Sequence, residues 1–344
     1  MSGKVTVLVV DDSAFMRKVV SDLLSEDPDL TVVGTARDGL EAIAKTAQFA
    51  PQVVTLDVEM PRMDGLTALK ELLRRFRVAV VMVSSLTQDG ARTTIEALAL
   101  GAVDFVAKPS GSLSLDMAKV KEELRHKVKT AARARVACYP AAQPLRRPGG
   151  PKPAGGVSRQ LVVIGCSTGG PNALHHVLPA LPGDLPAGVV VVQHMPAGFT
   201  RSLAERLNAL SRLRVREAAE GDATEQGTAL IAPGGWHLLV GPEGRLSLNQ
   251  DPPLHGVRPA VDHTLVSAAE VFGRNCVAVI MTGMGYDGAR GVTELKRRGG
   301  RVIAEHESSC VVYGMPRVVV EMGNADRVVP VDQIAPAVVE MLKA

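Results

Sequence analysis

The stretch Leu161-Val162-Val163-Ile164-Gly165-Cys166-Ser167-Thr168-Gly169-Gly170-Pro171 decides the fold of the second half of this chain. Its apolar start predicts a buried parallel strand, and the residues from Asn172 to Leu178 predict a helix. Ser167 then lies just beyond the strand, beside the backbone N–H groups of Thr168, Gly169 and Gly170. Helix starts carry unpaired donors and partial positive charge, so this corner offers a nucleophile and a cradle for an oxyanion. A glycine-rich turn with a capping serine explains the same residues without any chemistry, and short motifs have many false positives.

The composition of the chain narrows the class of protein. Its 344 residues are enough for two domains, and 46% hydrophobic residues support packed cores. A net charge of +3 does not indicate a protein that binds nucleic acid. The start MSGKVTVLVVDDS has no apolar signal segment. We therefore expect a cytoplasmic monomer that neither inserts into a membrane nor binds nucleic acid.

The four cysteines are far apart and show no CxxC spacing: Cys138, Cys166, Cys276 and Cys310. In a cytoplasmic chain such thiols stay reduced. Cys166 is an alternative nucleophile to its neighbour Ser167, although the serine fits the corner better.

The first 125 residues alternate strands with helices. The predicted strands are Val5–Val10, Thr31–Ala36, Val53–Asp57, Val78–Ser84 and Asp104–Ala107. The predicted helices are Ala14–Ser25, Glu41–Phe49, Leu66–Phe76 and Thr93–Leu100, the first with Phe15, Val19, Val20, Leu23 and Leu24 on one face. This alternation predicts an α/β domain with a flavodoxin-like, doubly wound parallel sheet that binds ligands at the carboxyl ends of its strands.

Charged and hydroxyl side chains stand at those strand ends. Asp11 and Asp12 follow the first strand and Asp57 ends the third. Three converging carboxylates repel each other unless a cation joins them, and hard oxygen ligands suit Mg²⁺. Ser84 ends the fourth strand and Lys108 follows the fifth. Metal, hydroxyl and ammonium around one carboxylate would stabilise phosphoryl transfer onto Asp57, although strand-end acids also serve as helix caps.

These motifs resemble the receiver domain of response regulators. The resemblance rests on DD at 11–12, TLDVEMPRMDGL at 55–66, MVSS at 82–85 and FVAKP at 105–109. It implies that a histidine kinase of the chemotaxis system donates a phosphoryl group to Asp57, and that Mg²⁺ is held by Asp11, Asp12, Asp57 and the carbonyl of Glu59. It also implies that Ser84 and Lys108 sense the phosphoryl group and that Phe105 moves with it, whereas the residues alone make Phe105 a core side chain.

A linker follows at 126–158. A charged helical stretch ends near Ala134, and the next residues are rich in proline and glycine. Such a run cannot hold a helix and has little to bury, so it is a solvated spacer.

Residues 159–344 predict a second, mostly parallel α/β sheet. Strands are predicted at Leu161–Ile164, Gly188–Gln193, Thr228–Ala232, Cys276–Met281 and Arg301–Glu305, with an antiparallel hairpin of His237–Val240 and Arg245–Asn249. Helices are predicted at Phe199–Leu210, from Pro259 to Phe272 with the proline at the first position, and at Asp332–Leu342.

Three strands of this second sheet lead into chemically distinct side chains: Ser167, His194 and Asp287. A serine hydroxyl needs a base, histidine is that base, and a buried aspartate fixes the tautomer of the imidazole. The order Ser, His, Asp differs from that of α/β-hydrolases, but geometry and not order defines a triad. Each residue also has a structural explanation, because strand-end histidines are often hydrogen-bonded and aspartates in glycine-rich turns cap helices.

The second domain resembles the catalytic domain of chemotaxis protein-glutamate methylesterases. The matching motifs are IGCSTGGP at 164–171, VVQHMP at 191–196, APGGWHL at 232–238, RPAVD at 258–262, MTGMGYDGA at 281–289 and SSCVVYGMP at 308–316. The resemblance implies Ser167 as nucleophile, His194 as base, Asp287 as its orienter and backbone N–H groups near Thr168 and Met284 as the oxyanion site. Tyr286, Glu305 and His306 depart from the residues often found in this family and leave substrate preference open.

Together the two resemblances imply a hydrolase switched by phosphorylation. It would cleave glutamate methyl esters and deamidate glutamines on methyl-accepting chemoreceptors, with no cofactor in the catalytic domain, and we expect the unphosphorylated receiver to cover the serine. The alternative is a non-enzymatic response regulator whose second domain binds a partner protein. A transcriptional regulator would need a basic recognition helix, and Asp332–Leu342 has one lysine and two acids.

Overall fold

A computed structural model describes residues 3–108, 115–134 and 156–343. The chain divides into two compact units, Met1–Ala141 and Ala142–Ala344, and each contains its own parallel sheet. Most of the predicted linker, including Cys138, lies outside the described residues. The domain bounds at 125 and 159 therefore stay a prediction.

The first unit is a five-stranded parallel sheet in the order β2-β1-β3-β4-β5. Its strands are β1 (Val5–Val10), β2 (Leu30–Ala36), β3 (Val53–Asp57), β4 (Ala79–Ser84) and β5 (Asp104–Ala107). Its helices are α1 (Ala14–Ser25), α2 (Gly39–Phe49), α3 (Gly65–Arg75), α4 (Gln88–Leu100) and α5 (Leu115–Arg133). The strand order confirms the predicted flavodoxin-like arrangement, and it reverses between β1 and β3, where such sheets bind ligands.

Side-chain caps fix where four of these helices begin. The side chains of Ser13, Asp38, Asp64 and Thr87 accept backbone N–H groups at the starts of α1 to α4. The cap at Thr87 lets α4 begin five residues before the predicted Thr93. Of the apolar residues predicted on one face of α1, Val20 and Leu24 are buried, whereas Phe15 is 72% exposed.

The second unit is a seven-stranded parallel sheet in the order β14-β13-β12-β6-β7-β9-β8, with the separate antiparallel pair β10 and β11. Its strands are β6 (Leu161–Cys166), β7 (Gly188–Gln193), β8 (Arg214–Glu217), β9 (Thr228–Ile231), β10 (His237–Val240), β11 (Leu246–Asn249), β12 (Cys276–Ile280), β13 (Arg301–Glu305) and β14 (Arg327–Val329). Its helices are α6 (Gly170–Ala180), α7 (Phe199–Leu210), α8 (Val261–Phe272), α9 (Ala289–Arg297), α10 (Met315–Glu321) and α11 (Val331–Lys343). This confirms the predicted doubly wound sheet with a hairpin.

Several elements of the second unit differ from the sequence prediction. The short strands β8 and β14 lie at the two edges of the sheet, and their charged, partly exposed residues give no apolar run to detect. Helix α10 was also not predicted. Helix α8 begins at Val261 and not at Pro259, which follows a cis peptide bond, and Ala260 occupies the N-cap.

The centre of the second sheet brings three strands side by side. β6 lies between β12 and β7, and all three strands are buried along their whole length. Residues that follow these strands therefore meet at one place on the carboxyl edge. None of the helices in the described ranges combines the length and the apolar character that crossing a bilayer requires.

Candidate active site

Ser167 directly follows β6 and is half-buried. Its N–H donates to the carbonyl of Thr282 at 3.0 Å, and its own carbonyl accepts the N–H of Gly170 at 2.7 Å. Its hydroxyl makes no hydrogen bond to any residue within the described ranges. Catalytic hydrogen bonds are often long before substrate binds, so the fixed backbone and open hydroxyl suit a nucleophile that awaits its substrate.

Two glycines let neighbouring chain segments pack closely around this corner. Gly169 has a φ of +79°, and a Cβ there would lie 2.5 Å from Cβ of Val311. A Cβ on Gly283 would lie 2.9 Å from Cβ of Ser167. The backbone that leads from Gly283 into Met284 therefore packs against the serine side chain. Thr168 and Met284, the predicted oxyanion donors, directly follow Ser167 and Gly283 in the chain, and their role stays a prediction.

His194 follows β7 as Ser167 follows β6. Cys166 and Gln193 are the last paired residues of the two strands, and the N–H of His194 donates to the carbonyl of Cys166 at 3.1 Å. Since neighbouring strands lie about 4.8 Å apart, Ser167 and His194 are neighbours across the sheet edge. The imidazole is nearly buried, with 9% of its side chain exposed.

Asp287 holds the imidazole from the far side. Nε2 of His194 lies 2.7 Å from Oδ2 of Asp287. The same carboxylate accepts the N–H groups of Val261 at 2.7 Å and of Asp262 at 2.9 Å, at the start of α8. Burial alone would raise the pKa of Asp287, but the bonds from His194 and from these two N–H groups outweigh it and hold the pKa below its usual value. The carboxylate is therefore charged, His194 donates through Nε2–H, and Nδ1 remains as the basic nitrogen.

Cys166 is not a suitable nucleophile. Its side chain is fully buried, and burial raises the pKa of its thiol far above the usual range. A neutral thiol enclosed in the core cannot reach a substrate.

A second histidine–carboxylate pair adjoins Asp287. Nε2 of His255 lies 3.1 Å from Oδ2 of Asp262, and Oδ1 of Asp262 accepts the N–H of Gly291 at 2.8 Å. The ligand atoms of His255, Asp262 and Asp287 all lie within 4.8 Å of one another, the spacing of a metal site. Their oxygens already accept hydrogen bonds, so we interpret the group as the network that joins α8 and α9. The absence of a cofactor in this domain stays a prediction.

The receiver unit carries its own charged cluster. Nζ of Lys108 lies 2.9 Å from Asp11 and 2.8 Å from Asp57. The carboxylate oxygens of Asp11, Asp12 and Asp57 lie within 4.8 Å of one another. Over the residues that the structure describes, Lys108 is the one cation within ion-pair distance of these three acids. The oxygen donors and the remaining negative charge fit the Mg²⁺ that a receiver domain holds.

The remaining receiver residues lie around this cluster. Burial raises the pKa of Asp57 to about 6, with Lys108 opposing and Asp11 adding to the shift. The hydroxyl of Ser84 points towards the carbonyls of Ser85 and Gly90, both 3.2 Å away. Phe105 is buried, with Nζ of Lys127 5.0 Å from its ring centre. The N–H of Glu59 lies 3.4 Å from Oδ1 of Asp57, which brings the Glu59 backbone to the cluster.

Comparisons with known proteins agree with this geometry. The family model "CheB methylesterase" matches residues 162–338, and the model "Response regulator receiver domain" matches residues 7–118. The chain belongs to the CheB methylesterase family. Family members similar to it include the protein-glutamate methylesterase/protein-glutamine glutaminase of Symbiobacterium thermophilum, 58% identical over 97% of this chain and 96% of the relative. The same-named protein of Pyrococcus horikoshii is 48% identical over 100% of this chain and 95% of the relative.

The second unit is also similar to a solved structure. The crystal structure of the Thermotoga maritima CheB methylesterase catalytic domain is 48% identical, covers 54% of this chain and 100% of its own, and has a TM-score of 0.52. The resemblance predicted from the motifs is therefore confirmed at the level of the family.

Sequence reasoning did not identify every residue that holds this CheB-family site together. Gln193 and Thr282 are buried and bond the backbone of the nucleophile, and Glu305 accepts the N–H of Thr282 at 2.7 Å. The available signal was a polar residue at the end of an apolar run, which Gln193 and Glu305 share.

Proposed function

We propose that this protein hydrolyses the γ-methyl esters of glutamates, and the side-chain amides of glutamines, in methyl-accepting chemoreceptors. Membership of the family confirms the enzyme class, a protein-glutamate methylesterase and protein-glutamine glutaminase. The observation that carries the catalytic assignment is the 2.7 Å contact of His194 with Asp287, next to a serine at the neighbouring strand end.

The chemistry proceeds in two steps. Oγ of Ser167 attacks the ester carbonyl while Nδ1 of His194 takes its proton, and the N–H groups of Thr168 and Met284 stabilise the oxyanion. The imidazolium then protonates the methoxy oxygen, or the amide nitrogen of a glutamine, and as the C–O or C–N bond breaks this group leaves as methanol or ammonia. In deacylation His194 takes a proton from water while the water oxygen bonds to the acyl carbon, and the imidazolium then gives that proton to Oγ of Ser167 as the bond between Oγ and the acyl carbon breaks, which frees the glutamate.

The experiment is a methanol-release assay on methylated receptors with the full chain and a small phosphodonor. We expect Ser167→Ala to lower turnover by about 10⁴-fold or more, because the nucleophile is lost. The Cys166→Ala variant is the matched control, and its loss of turnover should stay below about fivefold. Turnover that survives in Ser167→Ala would reject the serine assignment.

In the receiver, Oδ of Asp57 would attack the phosphorus of a phosphohistidine on the kinase, and the P–N bond would break so that the kinase histidine leaves as the free imidazole. Asp11, Asp12, Asp57 and the carbonyl of Glu59 would hold Mg²⁺, which supplies charge neutralisation for the phosphoryl oxygens. The ammonium of Lys108, now shared by Asp11 and Asp57, would bind a phosphoryl oxygen, and the hydroxyl of Ser84 would turn from Gly90 to another.

We propose that the unphosphorylated receiver inhibits the catalytic unit, as a two-state equilibrium that phosphorylation shifts. A fragment of residues 159–344 should then hydrolyse ester faster than the unphosphorylated full chain. Equal rates, with a fragment that unfolds cooperatively on heating, would contradict inhibition and leave the triad intact.

A further inference from the structure

The side chain of Gln193 lies beneath the nucleophile and the base. Gln193 is the last residue of β7 and is 2% exposed. A buried carboxamide is costly unless its donors and acceptor are bonded. Its partners therefore indicate what the residue does.

The amide group bonds both catalytic residues through their backbones. Its Nε2 lies 3.0 Å from the carbonyl oxygen of Ser167 and 3.1 Å from that of His194. The two hydrogens of one amide thus go to the nucleophile and to the base. The strand ladder ends one residue earlier, at the pair Cys166 and Gln193, so the side chain supplies the link that the ladder no longer provides.

The oxygen of the amide has a donor of its own. Sγ of Cys166 lies 3.1 Å from Oε1 of Gln193. Burial raises the pKa of this thiol, so it keeps its hydrogen and donates it. This fixes the orientation of the amide, since the opposite orientation would face Oε1 towards two carbonyls.

Gly170 makes room for this arrangement. A Cβ on Gly170 would lie 2.0 Å from Oε1 of Gln193 and 3.0 Å from Cβ of Cys166. The N–H of the same glycine donates to the carbonyl of Ser167. A Cβ at position 170 would therefore force the amide of Gln193 out of its present position.

We propose that Gln193 is a positioning residue that joins the backbones of Ser167 and His194 through its side-chain amide and so sets the distance between hydroxyl and imidazole. This inference rests on the proposed roles of Ser167 and His194. Gln193 touches neither substrate nor reacting atoms. Its loss should lower kcat and leave KM close to that of the unaltered protein.

The test compares three full-chain variants in the methanol-release assay with a phosphodonor. Gln193→Met keeps the length of the side chain without its donors, and we expect kcat to fall about 10- to 100-fold, as small misplacements of catalytic groups do. Cys166→Ala removes only the bond to Oε1, and we expect a loss below about fivefold, the scale of one neutral hydrogen bond. Thermal unfolding of each variant shows that it is folded.

The pH dependence of kcat in Gln193→Glu separates a positioning role from a merely structural one. Ionised, its carboxylate faces two carbonyls and repels them, whereas the protonated acid donates one of the two bonds. Its kcat relative to the unaltered protein at the same pH should therefore rise as the pH falls. Unchanged kcat in folded Gln193→Met, or a pH-independent deficit in Gln193→Glu, would overturn the proposal. If the unaltered protein itself releases no methanol, the proposed function has failed instead.

Discussion

Asp57 and Asp287 are both buried carboxylates at the carboxyl edge of a parallel sheet, yet their surroundings differ. Asp287 accepts three hydrogen bonds, from His194 and from the N–H groups of Val261 and Asp262. Asp57 contacts one ammonium, that of Lys108, which it shares with a second carboxylate, Asp11. The pKa of Asp287 lies below its usual value, while burial raises that of Asp57 to about 6.

The difference shows how one residue type serves two purposes. Backbone N–H groups at a helix start hold the charge of Asp287 permanently, so the site of His194 is organised before substrate arrives. The cluster at Asp57 keeps more negative charge than Lys108 neutralises, which suits the proposed binding of a cation and of a phosphoryl group. The charge of Asp287 is thus stabilised by groups of the protein itself, whereas the acids around Asp57 keep negative charge that a bound cation would neutralise.

Asp287→Asn breaks the catalytic half of this comparison. An amide holds the Nε2–H tautomer of His194 less firmly, because it presents either an uncharged oxygen, which is a weaker acceptor, or a competing N–H group. We expect kcat to fall about 10³- to 10⁴-fold with KM little changed. The control is Asp222→Asn, which removes a carboxylate paired with Arg216 far along the chain from the site. A loss below about tenfold would contradict the role of Asp287.

Asp57→Asn breaks the receiver half. The amide cannot accept a phosphoryl group, so the variant should incorporate none from a phosphodonor, and the donor should no longer stimulate ester hydrolysis. Unstimulated turnover should equal that of the unaltered protein. Phosphoprotein mass and methanol release measure the two effects, and stimulation that persists would mean that another residue carries the switch.

Gly283→Ala sharpens the comparison by disturbing the catalytic site alone. The new Cβ would lie 2.9 Å from Cβ of Ser167 and 2.4 Å from Sδ of Met315. We expect the serine to shift and kcat to fall about 10- to 100-fold, with phosphorylation unaffected. Gly183→Ala is the control, because its Cβ would meet nothing closer than 3.4 Å. Equal kcat values in the two variants would show that this close approach has no catalytic importance.

Glu305 is a third buried carboxylate, and in the described part of the chain no cation pairs with it. The variant Glu305→Gln tests how it differs from the other two. Burial raises its pKa, with Thr282 N–H and the Ser309 hydroxyl opposing. Because the pKa of Glu305 is higher in the folded state, its contribution to the free energy of unfolding is greatest below the unfolded-state pKa of about 4.3. This contribution is lost as the pH rises through the folded-state pKa.

The amide in Glu305→Gln cannot ionise, so the variant does not lose stability as the pH rises. Its oxygen can accept from Thr282, and Ser309 can turn its hydrogen to the carbonyl of His306, 3.3 Å away. The variant should therefore melt a few degrees higher at neutral pH, with the gain vanishing below about pH 4. Melting curves across pH measure this, and a gain that stays constant down to acid pH would show that ionisation of Glu305 is not its cause.

The sequence predicted the strand ends well, because a buried parallel strand is an apolar run and its end is abrupt. Asp57, Ser167 and His194 each follow such a run, and the sheet order then brings them to shared edges. The flavodoxin-like order of the first sheet and the hairpin of the second were predicted on the same grounds.

Contacts that depend on the direction of side chains could not be predicted from the sequence. The start of α8 at Val261 is set by the carboxylate of Asp287, 26 residues later. The bonds of Gln193 depend on the missing Cβ of Gly170. Phe15 and Trp236 are more exposed than their apolar character suggests, and the charged edge strand β8 carries no periodic signal.

The most direct test of the triad is to treat the full chain with a fluorophosphonate and to locate the adduct by peptide mass spectrometry. The account predicts one adduct on the peptide that contains Ser167, and its formation should be strongly slowed in His194→Gln and in Asp287→Asn. An adduct on another residue, or labelling of Ser167 at an unchanged rate in those two variants, would contradict it.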